Sequence, residues 1–206
     1  MLTRLNAIPG TLCTQMVWKQ LAPMLQPAID IHHVPIEKET SLDGMHTAIH
    51  DALGDEVGEG SRHLMGFSMG AYLSLVTALD GKPLDSIIVV GSSGVGLSAQ
   101  EMRQRMHMLN YLGKVGDAFK MPDKRMHEFV DPKSPAYGEV VKTIRDMELE
   151  LGHKVLLTQM NETKNRMNLM DQLHQIHCPV LIIAGEADKI VALKDAEATA
   201  AAIPNA

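Results

Sequence analysis

The stretch Gly66-Phe67-Ser68-Met69-Gly70 limits most sharply what this chain can become. Before it, Ser61-Arg62-His63-Leu64-Met65 reads as a short, partly buried strand; after it, residues 71–79 read as a helix of small and apolar side chains. A strand that becomes a helix within five residues, through a G-x-S-x-G run, predicts a tight elbow. Such an elbow lifts the serine hydroxyl clear of the carboxyl edge of a sheet. Glycine suits positions 66 and 70 because a β-carbon there would crowd the strand against the helix where the two come closest. The first N–H groups of the helix point at the serine and favour negative charge developing beside it. The plainer reading is an ordinary Gly/Ser turn, and the strand-to-helix context argues against it.

The same alternation runs through the first 97 residues. Residues 5–8 read as a strand entering the turn Pro9-Gly10-Thr11-Leu12, and residues 14–25 carry Met16, Val17, Leu21, Met24 and Leu25 at helical spacing. Residues 28–36 read as a second strand, with Ile29, Ile31 and Val34. Ser41 is a candidate N-cap for a helix striped by Met45, Ile49, Ala52 and Leu53 and stopped at Gly54. Residues 85–91 form a β-branched run suited to burial on both faces. Strands and helices alternating at this spacing predict a parallel α/β sheet.

From residue 98 to 176 the pattern changes to helical segments, clearest at 101–112, 138–151 and 163–174, and no convincing strand appears. Nine of the fifteen methionines fall here. The segment reads as a helical insertion over the carboxyl edge of the sheet, a cap whose adaptable methionines would suit an apolar substrate of loosely specified shape. Methionine as ordinary core filler is the competing reading. The sheet resumes at residues 178–185, and a last helix spans 193–203. The predicted organisation is therefore a core of residues 1–97 and 177–206 interrupted by a cap at 98–176.

Composition excludes several classes. A net charge of -6 over 206 residues, with no basic block, argues against a nucleic-acid or anionic-membrane partner, and no run is long enough to cross a bilayer. Cys13 and Cys178 lack metal-ligand spacing and read as free thiols in a reducing, cytoplasmic setting. His46 and His50 stand at an i,i+4 metal spacing but without a third ligand, and read as a solvated face. Gly91-Ser92-Ser93-Gly94-Val95-Gly96 has neither dinucleotide-loop spacing nor a P-loop lysine, and is better taken as the hinge into the insertion.

Three landmarks, in order, resemble the α/β-hydrolase superfamily, in particular its small capped serine esterases. Pro9-Gly10-Thr11-Leu12 resembles the oxyanion loop, Gly66–Gly70 the nucleophile elbow, and residues 179–188, ending Gly185-Glu186-Ala187-Asp188, the strand and loop that carry the triad acid. The resemblance implies an α/β, three-layer sandwich with a mostly parallel sheet and a helical cap insertion. It implies Ser68 as nucleophile and Asp188 as the acid that orients the base. It also implies an oxyanion hole from the N–H of Met69 and one from Thr11 or Leu12, each donor contributing some 3 kcal/mol. No metal or cofactor is implied. The implied substrate is a small-molecule ester, and a homodimer is open.

One departure bears on catalysis. Members of this family place the catalytic histidine after one more strand, whereas this sequence ends at Ile203-Pro204-Asn205-Ala206. His63 and His177 precede strands and belong at the amino edge, His32 and His33 fall inside a strand, and His107, His127, His153 and His174 belong to the insertion. The sequence leaves two explanations, an incomplete copy of a longer enzyme or a short form retaining a ligand pocket. Functionally it points to a serine hydrolase. The rival readings are a non-catalytic ligand-binding form and a C–C hydrolase, lyase or acyltransferase using the same elbow.

Overall fold

The structure, a computed structural model, describes residues 3–54 and 62–206. Five strands, β1 (Thr3–Ile8), β2 (Ile29–His33), β3 (His63–Phe67), β4 (Ser86–Val90) and β5 (Val180–Ile183), form one sheet in the order β2-β1-β3-β4-β5. Every pairing is parallel, and Leu5 of β1 stands opposite both Ile31 and His63. All five strands lie where the sequence predicts them, although Ser61 of the elbow strand falls outside the described residues.

Helix α1 (Leu21–Leu25) follows a 3₁₀ turn at Gln15–Trp18, so the single helix expected over 14–25 is divided. Pro23 lies within this stretch, and only five residues take α form. Helix α2 (Leu42–Leu53) matches its expectation: Ser41 Oγ accepts from Gly44 N–H at 3.0 Å, Met45, Ile49 and Leu53 are buried, and Gly54 caps the end at φ 70°. His46 and His50 on this helix are half-buried rather than solvated, and Nδ1 of the first and Nε2 of the second have no partner among the described residues.

Helix α3 (Met69–Leu79) is buried on nearly every side and packs on β3 and β4. Its Ser74 and Thr77 hydroxyls donate to the carbonyls one turn back, which satisfies them inside the core. The main core packs α2, α3 and the chain around Leu169–Ile176 against Ile8, Leu64, Ile87, Val89 and Val180 of the sheet. A smaller cluster on the opposite face gathers Leu5, Ala7 and Met65 beneath Trp18. The two faces alternate along each strand, as the two-residue period requires.

Residues 99–162 form α4 (Ala99–Val115), α5 (Asp123–Phe129) and α6 (Tyr137–Glu162), the last broken at Gly152 (φ 70°, ψ 178°). The third helix expected, over 163–174, is not formed. That stretch runs as turns and extended chain ending in a 3₁₀ turn at Leu173–Gln175. Its apolar residues are nevertheless used: Leu169, Leu173 and Ile176 close the main core. Helix α7 (Leu193–Ala202) completes the fold, and its Thr199 Oγ1 accepts from Gly94 N–H at 2.9 Å.

Candidate active site

Ser68 stands at the junction of β3 and α3 with φ 52°, one of two non-glycine residues with positive φ among those described. A left-handed serine costs roughly 1–3 kcal/mol and persists where its surroundings over-determine it. The flanking glycines supply that constraint. A Cβ on Gly66 would stand 2.3 Å from Ala71 Cα, and one on Gly70 would stand 2.3 Å from Ile8 O. Gly66 therefore lets the elbow close on its own helix, while Gly70 lets that helix approach the end of β1. Ser68 N–H donates to Val90 O at 2.8 Å, which extends the ladder to β4 up to the turn. Ser68 is half-buried, and its hydroxyl has no hydrogen-bond partner among the described residues.

The other left-handed residue is Leu12, φ 56°, in the turn after β1. Cys13 N–H donates to Gly10 O at 3.3 Å and closes that turn, which puts Leu12 where glycine or asparagine is usual. Thr11 Oγ1 reaches Met69 Sδ at 3.6 Å, so the turn lies against the first residue of α3. Among the described residues the N–H groups of Thr11 and Met69 have no acceptor. Leu12 N–H has one: Gln159 Oε1 of α6, at 2.8 Å.

Asp188 follows β5. Its Oδ1 accepts from Ile190 N–H (2.7 Å) and Val191 N–H (3.0 Å). A Cβ on Gly91 would stand 4.0 Å from Asp188 Oδ2 and 3.6 Å from the Phe67 ring, so the carboxylate lies by the end of β4 near the residue preceding Ser68. Ser68, the Thr11 turn and Asp188 thus share the carboxyl edge of the sheet.

No histidine hydrogen-bonds Ser68 among the described residues. His63 pairs with Ser86 at the amino edge (2.7 Å), and His153 pairs with Asp117 (3.0 Å). His33 lies between Trp18 and Glu37. Both cysteines are free. Burial pushes the Cys13 thiol up to about 12 and raises the half-buried Cys178, so neither is a thiolate nucleophile at neutral pH. Among the described residues no three His, Cys, Asp or Glu side chains stand together to hold a metal.

Two residues at this edge carried no sequence signal. Gln159 is wholly buried, and nothing in the spacing of α6 sets it apart. Arg166 lies in the stretch 163–174, where the sequence predicts a helix and the structure has turns and extended chain. Its guanidinium stacks 4.6 Å from the Tyr72 ring, one turn beyond Ser68, and donates to Ser93 O (2.9 Å) and Val95 O (2.6 Å).

The family model described as serine aminopeptidase, S33, matches residues 36–206. The chain belongs to this hydrolase family. Solved structures with the same fold include MenH from S. aureus, 22% identical with TM-score 0.76 over 98% of this chain and 82% of that one. A thermophilic esterase from Thermogutta terrifontis is 19% identical, with TM-score 0.76 over 98% and 78%. The enol-lactonase from Burkholderia xenovorans LB400 is 15% identical, with TM-score 0.75 over 100% and 81%. Among curated protein sequences there is no match. At these identities the solved structures establish the α/β-hydrolase fold of this S33-family chain and nothing finer. Among its described residues no helix is long and apolar enough to cross a membrane.

Proposed function

We propose that this α/β-hydrolase is a serine esterase cleaving a small carboxylic ester or related acyl compound through an acyl-Ser68 intermediate. One observation carries the reading: a serine in strained left-handed backbone, its hydroxyl unpartnered among the described residues, at the N-terminus of a buried helix and beside a second strained turn. In this scheme Ser68 Oγ attacks the acyl carbonyl. The carbonyl oxygen, now an oxyanion, takes the N–H groups of Met69 and Thr11, and the alcohol leaves with a proton. Water then attacks acyl-Ser68, releasing the acid and restoring the hydroxyl. Thr11 fits the second donor role better than Leu12, whose N–H is taken by Gln159. Asp188 would orient the base through Oδ2, since Oδ1 is held by two backbone N–H groups. The base itself is assigned to no residue.

Residues 98–176 would act as the cap, because the cluster of α4 and α6 residues around Leu112 and Leu156 takes in Leu12 of the oxyanion turn. The esterase and enol-lactonase among the structural neighbours agree with acyl chemistry. A second reading, a ligand-binding form without catalysis, is favoured by the absence of histidine contacts to Ser68. Labelling with a fluorophosphonate separates the two. Stoichiometric modification at Ser68, absent in Ser68→Ala, is expected for the esterase. A folded chain that takes no label overturns the catalytic reading of this 206-residue form.

A further inference from the structure

The left-handed turn at Leu12 needs a cause, since leucine pays a steric penalty that glycine would not. Its cause comes from the helical segment. Leu12 N–H donates to Gln159 Oε1 at 2.8 Å, and the Leu12 side chain is buried with Leu112 and Leu156. Two residues on, Thr14 N–H meets Met147 Sδ at 3.3 Å, a second contact from α6. The Gln159 amide can face only one way, because its Nε2 would set one donor against another. That Nε2 is buried with no partner among the described residues, so the clamp is retained with a donor unmet there. Gln159 is in turn anchored through its backbone: Thr163 Oγ1 donates to Gln159 O at 2.7 Å, and Arg105 of α4 donates to Thr163 Oγ1 at 2.7 Å.

We propose that Gln159 is a positioning residue for the oxyanion turn: by accepting the Leu12 N–H it holds that residue left-handed, and so leaves the Thr11 N–H, beside Met69, as the donor open to a substrate oxygen. The helical segment is then part of the catalytic geometry as well as a cover. This rests on the esterase reading only for its catalytic consequence; the clamp itself stands on the contacts above.

The experiment separates the two. In the isotopically labelled native chain, a through-hydrogen-bond coupling between Leu12 N and the Gln159 side-chain carbonyl is expected, with the Leu12 amide slow to exchange. In Gln159→Met the Leu12 amide should exchange about 100-fold faster. In Gln159→Glu, which keeps an acceptor, protection should be retained. Absence of the coupling in the native chain, or equal Leu12 exchange in native and Gln159→Met, overturns the clamp. The coupling needs no variant, so a Gln159→Met chain that does not fold leaves the decision intact. Fluorophosphonate labelling of Ser68 supplies the catalytic readout. Loss of one oxyanion donor should slow it about 100-fold in Gln159→Met, and Gln159→Glu should recover most of the rate. Equal labelling of native and Gln159→Met chains overturns the positioning role. A native chain that takes no label at Ser68 overturns the esterase reading, and with it the catalytic role, while the coupling still decides the clamp.

Discussion

Ser68 and Leu12, the two non-glycine residues with positive φ among those described, lie in turns that touch through Thr11 and Met69, and each is held there by a different kind of constraint. Ser68 is held by glycines that permit close approach, Leu12 by a hydrogen bond and burial. Replacement of Gly70 by alanine should therefore be severe, because its Cβ would meet the backbone of Ile8 and Pro9, which cannot step aside. A loss of about 3 kcal/mol or more in urea unfolding is expected. Gly54→Ala is the control. Its φ is also positive, at 70°, but no atom of the described residues lies within 4 Å of the new Cβ, so only the backbone strain, roughly 1–2 kcal/mol, should be lost. Ser68→Gly should move the other way. Releasing the left-handed strain should raise stability by about 1 kcal/mol while fluorophosphonate labelling disappears. Comparable losses in the two alanine variants would show that the close approach at Gly70 is relieved elsewhere.

Among the elements, α4 offers a defined test through its capping box, in which Ser98 Oγ accepts from Glu101 N–H (3.2 Å) and Ser98 N–H donates to Glu101 Oε2 (2.8 Å). Ser98→Ala should cost about 1 kcal/mol at neutral pH. The hydrogen bonds from Ser98, opposed by partial burial, hold the Glu101 carboxyl below the usual range, with Arg166 and Arg105 adding to the effect. A depressed folded pKa gives stability that is present above the unfolded value and lost as pH falls through the folded one. The gap between native and Ser98→Ala unfolding free energies should accordingly be constant near neutrality and narrow below the ordinary glutamate range. A gap independent of pH down to acid unfolding would remove Glu101 from the account. Legibility in the sequence followed the elements closely. The five strands and α2 were readable because their apolar periods and caps are local. The elbow was readable because Gly66 answers to atoms four and five residues away, within the G-x-S-x-G run and its helix, whereas the reason for Gly70, the backbone of Ile8 and Pro9, lies across the fold. The stretch 163–174 was misread because Leu169, Leu173 and Ile176 keep helical spacing while serving a core reached by turns. Gln159 was invisible for a related reason: its partner, Leu12, lies across the fold, and no local pattern marks such a contact.

At the scale of the molecule, the two faces of the sheet are unequally covered. The face bearing Ile8, Leu64, Val89 and Val180 is closed by α2, α3 and the chain through Ile176, with Ile203 packed beside them. The opposite face is covered over β1 by Trp18 and its neighbours, and this cluster does not reach β5. There Leu181 is 55% and Ile183 47% exposed, on the strand that also forms one edge of the sheet. Val180 N–H is met by Asn205 O, but β5 has no second strand beside it among the described residues. Exposed aliphatic side chains on an edge strand favour pairing with another such edge. The partner at hand in a purified sample is a second copy of the chain. Sedimentation at increasing concentration should show reversible self-association, and Leu181→Lys with Ile183→Lys should shift it toward the monomer while leaving the main core untouched. Charge on an outward-facing edge opposes strand pairing without adding a buried cation, so the double variant should unfold within about 0.5 kcal/mol of the native chain. A native chain that stays monomeric across the range would show that this edge does not associate. Association that persists in the double variant would place the contact on another surface.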